Sequence, residues 1–445
     1  MKCELLFVGY CKMNESKQLS FFEESDLPST DLKRSRSGTF VDNMTLPVHR
    51  WFRYSAGFSA EWVEQLLVEW KTDSRRLVLD PFAGSGTVPL TCEQLSVPSI
   101  AIEAHPVVAR ICQAKLYWAT SIDQFADFSE QVTQTTRKPQ LPSAEYPDLI
   151  QRSFDPELLA YLDGLKRAWY MHNDDSPASE LVWLAITAIL RSCSSAGTAQ
   201  WQYILPNKTK KKVLHPNIAF RQQIEMMLFD MRWMQSRAKH SLASMVVGDA
   251  RKCSESISRR VDAVITSPPY ANNYDYADAL RFEMTFWGEV NNWGDIHEKV
   301  RRHLIVSSSQ HSSKDRVDLD EVLALAILEP IHVELAEVVK KLAVTREHHG
   351  GKKHYHTMVA AYCRDIAEVL RELRTLCRSG AQMCWVIGDS APYGIYCPIE
   401  RWIGELALAQ GFTSYSFEKL RDRNLKWKNR KHRVPLKEGL LFIEG

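Results

Sequence analysis

The chain has 445 residues and, with 56 Lys+Arg against 54 Asp+Glu, a formal net charge of +2. That length carries one large α/β domain with insertions, or two domains, and the near-neutral sum excludes a global cationic field, leaving any nucleic-acid surface to local segregation of charge. Ten cysteines without a CxxC pair fit neither a zinc ribbon nor a disulfide framework, and the most apolar run, Leu181 to Leu190, is too short to span a bilayer. A cytoplasmic protein with reduced thiols, no membrane anchor and no metal is expected.

Residues 1–45 are read as a flexible arm, because the stretch from about Asn14 to Asn43 is polar, mixed in charge and aperiodic. "SAEWVEQLLVEW" (Ser59 to Trp70) has apolar residues at helical spacing behind a serine that can cap the first turn. "RRLVLDPFAGSGTVPLTCEQLSVPSIAIEAHPVVARICQAKLYW" then runs strand, glycine turn, helix, strand, helix, the βαβα rhythm of a doubly wound parallel sheet. Residues 151–243 change character, with three helical periodicities separated by a polar "LPNKTKKKVLHPN", and are read as a helical insertion. Strand rhythm returns over residues 244–445 with "SMVVGDARKC" and "VDAVITSPPY", is interrupted by an irregular insertion over about 272–356, and resumes through "AQMCWVIGDS", "TSYSFEKLR" and "EGLLFIEG". The fold expected is α/β and Rossmann-like, a mostly parallel sheet with helical insertions.

In "LVLDPFAGSGT", Gly84 and Gly86 stand between a strand and a helix, where glycine admits positive φ and lets backbone approach a ligand closely. Pro89 occupies the third position of a dinucleotide fingerprint and no G-K-[ST] follows, so neither that motif nor a phosphate loop is present. What remains is a glycine turn with Asp80 before it and Glu103 closing the next strand, a carboxylate able to accept both hydroxyls of a ribose.

Together, "DPFAGSGT" and "SPPY" resemble the cofactor-binding and catalytic motifs of the S-adenosylmethionine-dependent amino-group DNA methyltransferases. "HRWFRYSAGFSAEWVEQLL" is similar to that family's helix-leading segment beside the methionine part of the cofactor, "AIEAHP" to its ribose-binding strand end and "VVGDAR" to the strand end beside adenine. The resemblance implies S-adenosyl-L-methionine as cofactor, held by Tyr54, Phe58, Asp80, Pro81, Phe82, Gly84, Gly86, Thr87, Glu103, Ala104, Asp249 and Ala250. It makes residues 46–150 the cofactor-binding half and 244–445 the catalytic half. Here the cofactor motif precedes the catalytic one, the reverse of many members with "SPPY", and target recognition falls to 151–243, to 272–356, or to both.

An exocyclic amine is a poor nucleophile because its lone pair is delocalised into the ring, so catalysis must relocalise it with acceptors held against the amino hydrogens. The Ser267 hydroxyl and the Pro268 carbonyl suit that task, Pro268 and Pro269 stiffen the loop and remove two donors, and Tyr270 offers a flat face to an unstacked base. Carbon-5 transfer would need a nucleophilic cysteine, commonly in a Pro-Cys pair that this chain lacks. In the resembled family, Ser in the first position is associated more often with cytosine N4 than with adenine N6. Cytosine N4 is preferred, with adenine N6, an RNA amino-methyltransferase and a catalytically silent DNA-recognition subunit left open.

The partner implied is double-stranded DNA, with a restriction or defence protein as a further expected partner. Candidate phosphate contacts are Lys210, Lys211 and Lys212 in "NKTKKK", Lys352 and Lys353 in "REHHGGKKHYH", Lys428 and Arg430 in "KLRDRNLKWKNRKHRVP", and Asn272 just past the hook.

Overall fold

A computed structural model describes residues 42–136, 145–198, 204–238, 241–271, 275–310, 317–350, 353–423 and 434–445. The first 41 residues of the expected arm, together with Asn272, Lys352, Lys428 and Arg430, lie outside the described residues.

Helix α1 (Ala60–Glu69) starts where expected, with Ser59 accepting from the Trp62 amide at 3.4 Å. It is followed by β1 (Val78–Asp80), α2 (Thr87–Gln94), β2 (Ser99–Glu103), α3 (Pro106–Leu116) and α4 (Ile122–Thr136). The insertion supplies α5 (Pro156–His172), α6 (Pro177–Cys193), the antiparallel pair β3 (Ala196–Thr198) and β4 (Ile204–Thr209), and α7 (Pro216–Gln235). The sheet resumes with β5 (Ala243–Val247) and β6 (Val261–Thr266), passes through α8 (Arg281–Trp287), α9 (His332–Glu347) and α10 (Tyr355–Leu376), and closes with β7 (Cys377–Gly388), α11 (Ile399–Ala409), β8 (Ser414–Arg423) and β9 (Leu436–Glu444).

Seven strands form one sheet in the order β5-β2-β1-β6-β7-β9-β8, with β9 antiparallel to both its neighbours and every other pairing parallel. This is an α/β Rossmann-like, mostly parallel sheet, as expected. Alternation along the buried strands sends Leu77, Leu79, Val264, Trp385 and Ile387 into the core under α10 and α11, and Val78, Ala263, Ile265, Cys384 and Val386 into the core under α1 and α2. Helices on both faces follow from strands that are apolar on both sides.

The insertion is not a free-standing lobe. α5, α6 and α7 share one continuous apolar core with α3 and with Trp51 and Phe52 of the segment leading into α1. Asp230 of α7, fully buried, accepts from the Val48 amide at 3.0 Å, from Arg50 Nε at 3.0 Å and Nη2 at 2.5 Å, and from Trp51 Nε1 at 3.0 Å. Lys115 of α3 donates to the carbonyls of His49 at 3.0 Å and Phe52 at 3.5 Å. Burial lowers its ammonium pKa to about 7.

Candidate active site

β1 pairs with β2 on one side and β6 on the other, so the chain winds outward in opposite directions from the β1/β6 pair. A crevice opens past the carboxyl ends of strands at such a point, and ligands of doubly wound sheets bind there. The glycine turn leaves β1 at this place and the Ser-Pro-Pro-Tyr hook leaves β6 beside it.

Gly84 has φ +53° and Gly86, which caps α2, has φ +91°. A Cβ on Gly84 would stand 3.1 Å from Tyr54 Cε1, and one on Gly86 would stand 2.9 Å from Cys112 Sγ, so both the handedness and the space call for glycine. The turn is pinned to β2, since the Ala83 amide donates to the Ile102 carbonyl at 2.9 Å and the Gly84 amide donates to Glu103 Oε2, also at 2.9 Å. Glu103 Oε1 accepts from the His105 amide at 2.8 Å. Burial raises the Glu103 carboxyl to about 7 against the pull of these amides.

Counted together with the open solvent at its mouth, the cleft has about 720 Å³ of free space. Tyr54, Phe58, Pro81, Phe82, Gly84, Thr87, Glu103, Ala104, Asp249 and Ala250 all line it, so ten of the residues assigned to a cofactor from sequence meet in one cavity. Asp80 and Gly86 are not in the lining. Asp80, 1% exposed, lies behind the turn, where its Oδ1 accepts from Thr266 Oγ1 at 2.6 Å and from the Phe82 amide at 3.1 Å while Oδ2 is buried without a partner. Burial raises its carboxyl to about 7.

Of the hook, Ser267 and Pro269 line the same cleft, whereas Pro268 and Tyr270 are buried and are not in the lining. Ser267 Oγ donates to the Val386 carbonyl of β7 at 3.1 Å. The same hydroxyl also meets the Tyr270 hydroxyl, so its one hydrogen lies between two scaffold neighbours and its lone pairs can still accept. The Tyr270 amide donates to the Tyr276 hydroxyl at 3.2 Å, and Tyr276 itself reaches the cleft. The Tyr270 ring is buried at 9% exposure, with the Arg423 guanidinium 5.0 Å from its centroid.

At the other end of the cleft Asp249 is paired with Arg251, 2.5 Å from Nη2, and Arg251 also reaches the buried Asp365 at 3.2 Å. Asp365 accepts from the Val306 amide at 2.8 Å, which fixes the wall formed by His303, Leu304 and Ile305. Sequence reasoning missed that wall, together with Tyr276, because no motif marks "YDYA" or "RRHLIV". His105, buried at the start of α3, accepts from the Val108 amide at 3.4 Å, and burial lowers its imidazole pKa to about 4.

Among the described basic candidates, Lys210 turns inward and donates to the Arg191 carbonyl, while Lys211 and Lys212 are exposed. Lys353 is exposed, with its Nζ 5.6 Å from the Tyr355 ring centroid. The structure does not gather these cations at the cleft mouth, whose lining contains none of them. Among the described residues no helix is long and apolar enough to cross a membrane.

No family model matches the chain. The Type II methyltransferase M.BsoBI of Geobacillus stearothermophilus is 22% identical over 455 residues, spanning 92% of this chain and 86% of that protein. The Type II methyltransferases M.AvaI of a Nostoc strain and of Anabaena variabilis are each 23% identical over 404 residues, covering 84% of this chain and 81% of theirs. The chain is a distant homologue of Type II methyltransferases. Among solved structures, an rRNA methyltransferase, aviRa of Streptomyces viridochromogenes, aligns over 94% of both chains at 10% identity with a TM-score of 0.28. At that score the fold rests on this chain's own strand order rather than on the superposition.

Proposed function

We propose that the chain is a site-specific DNA methyltransferase that transfers a methyl group from S-adenosyl-L-methionine to the exocyclic amine of a flipped base, with cytosine N4 the preferred acceptor. The observation that carries this is the single cleft shared by Gly84 and Glu103 of the glycine turn and by Ser267 and Pro269 of the hook. The homologues along most of the chain support the same activity, and their Type II designation supports a restriction-modification context with an endonuclease as partner.

The cleft fits the cofactor on its own terms. Glu103 accepts from the backbone amides of Gly84 and His105, with that of Ala104 also bonded, and would turn the acceptor capacity left on its carboxylate to the hydroxyls of a ribose. The positive-φ glycines leave the turn without side chains where a methionine tail would lie, and Asp249 stands at the opposite end, where an adenine amine would donate to it. When bound, the cofactor supplies an electrophilic methyl on a sulfonium.

The residues of the hook then act on the substrate. The Ser267 oxygen, which scaffold neighbours hold in place, and the Pro268 carbonyl accept from the amino hydrogens and favour a pyramidal nitrogen with its lone pair directed into the cleft. Positive charge developing on that nitrogen meets acceptors only, and the transfer depends on alignment rather than on a covalent intermediate. A base cannot reach this position inside a duplex, so it must leave the stack.

The test is transfer of labelled methyl from the cofactor to duplex DNA, followed by methylation-aware sequencing of DNA from cells expressing wild type or Ser267→Ala. Methylation at N4 of cytosine within one short motif, lost in the variant, supports the reading. Label on adenine N6 corrects the base, and label on RNA alone overturns the DNA assignment.

A further inference from the structure

We propose that Arg423, the last residue of β8, is a positioning residue that backs the Tyr270 ring and so fixes the plane on which the flipped base stacks. The inference deepens the methyltransferase reading and rests on it.

The Arg423 side chain is 13% exposed and is held by several neighbours. Arg423 Nη1 donates to the Asp389 carbonyl at 2.8 Å, just past the end of β7, and Nε lies 3.8 Å from Glu438 Oε2 on β9. Its Cζ lies 5.0 Å from the centroid of the Tyr270 ring. A further contact is steric. A Cβ on Gly388 would fall 2.5 Å from Arg423 Nη1 and 3.1 Å from its Cδ and Cζ, so β7 ends in a glycine at the point where the arginine passes.

The hook needs such a backing. The prolines stiffen the backbone up to Pro269, the Tyr276 hydroxyl holds the Tyr270 amide and Ser267 hydrogen-bonds the Tyr270 hydroxyl, so the ring is held at its base and at its tip but not across its faces. A base stacks well only on a ring held at a fixed angle, and every degree of freedom the ring retains is lost when the base arrives. A planar guanidinium held at Nη1 and near Nε restrains the buried ring from one side, so that the arriving base would stack on the other. Lysine lacks both the plane and the fork.

Purified full-length Arg423→Ala, Arg423→Lys and Gly388→Ala are compared with wild type for cofactor affinity by calorimetry, thermal midpoint, steady-state methylation, and fluorescence of 2-aminopurine at the target position. The expected result is a loss of roughly tenfold or more in kcat/KM for DNA, with weaker 2-aminopurine fluorescence, in both Arg423→Ala and Gly388→Ala, while cofactor affinity stays within about twofold. Arg423→Lys recovers part of the loss. Arg423→Ala that flips and methylates as wild type does, or flips more readily, overturns the proposal, because the guanidinium would then be idle or would occupy the base's own face. A wild type that methylates no duplex defeats the methyltransferase reading and this proposal with it, whereas an active wild type beside an unaffected Arg423→Ala defeats the backing role alone.

Discussion

Thr266 donates a 2.6 Å hydrogen bond to Asp80, tying the last residue of β6 to the last residue of β1. The residue that opens the glycine turn and the residue that opens the hook are thus joined inside the sheet, under the cleft, so neither loop can shift without the other. Thr266→Val removes the donor and leaves a buried carboxyl oxygen with the Phe82 amide alone. A loss of about 1–3 kcal/mol is expected on urea denaturation, together with reduced turnover, and Thr266→Ser should restore most of both. Wild-type stability and turnover in the valine variant would show that the two loops are independent.

The same pair sets a pH dependence. The Asp80 carboxyl is raised from 3.8 to about 7 by burial, so the folded state keeps a proton that the unfolded state has already released. Stability from this group is complete below pH ~4 and is lost as pH rises toward 7, at up to ~1.4 kcal/mol per unit. Asp80→Asn stays neutral and should flatten that slope, measured as unfolding free energy between pH 4.5 and 7.5. A slope equal to that of wild type would assign the proton elsewhere.

Gly86 tests the handedness of the turn apart from its space. Gly86→Ala meets both a φ of +91° and the Cys112 sulfur 2.9 Å from the new Cβ. Cofactor affinity should fall at least tenfold by calorimetry, with a stability loss of about 1–2 kcal/mol from the left-handed backbone alone. Adding Cys112→Ala clears the space but not the handedness, so the double variant should recover in part. Full recovery would mean that crowding was the whole constraint.

What the sequence made legible is what leaves a local mark. Positive-φ glycines, paired prolines and buried strands can each be read from a few adjacent residues, and Gly84, Ser267 and Pro269 meet at the β1/β6 crevice. Ser59 capping α1 is legible for the same reason. The pair β3 and β4 was not, because Ile204–Thr209 is mostly exposed and polar and lacks the alternation that marks a half-buried strand. β7 begins at Cys377, four residues before the apolar run, because the exposed Arg378, Ser379 and Gly380 show no pattern. Tyr270 was legible as an aromatic at the hook, but what covers its faces depends on Arg423, some 150 residues away in sequence. Asp80 was read as a cofactor contact from its place in the motif, whereas its partner Thr266 becomes visible only when β1 and β6 are side by side.

Glu103 gives cofactor affinity its own pH profile. Its carboxyl is raised to about 7 by burial, and both the Gly84 and His105 amides, like the hydroxyls of a ribose, donate to the ionised form. Affinity should therefore rise as pH climbs from 6 to 8, with proton release on binding near pH 7. Glu103→Gln turns an amide donor toward one of these backbone donors. It should weaken binding by about 10–100-fold and abolish the pH dependence, since each lost charge-assisted bond is worth ~1.5–3 kcal/mol. Calorimetry in buffers of different ionisation enthalpy measures both. An unchanged proton count in the glutamine variant would remove Glu103 from the site.

Asp230 carries the last prediction, and the one least visible in the sequence. It stands on α7 of the insertion, yet it holds Val48, Arg50 and Trp51 at the start of the segment that delivers Tyr54 and Phe58 to the cleft. Asp230→Ala strands the Arg50 guanidinium and two buried N–H groups, so a loss of about 3–5 kcal/mol is expected from chemical denaturation. Because the damage begins at residue 48 and the cleft lining at Tyr54, cofactor affinity should fall as well, although α7 does not touch the cleft. Asp230→Asn keeps an acceptor for Trp51 and should fall between wild type and alanine in both measurements. If stability drops while cofactor affinity is untouched, the insertion braces the fold but not the site.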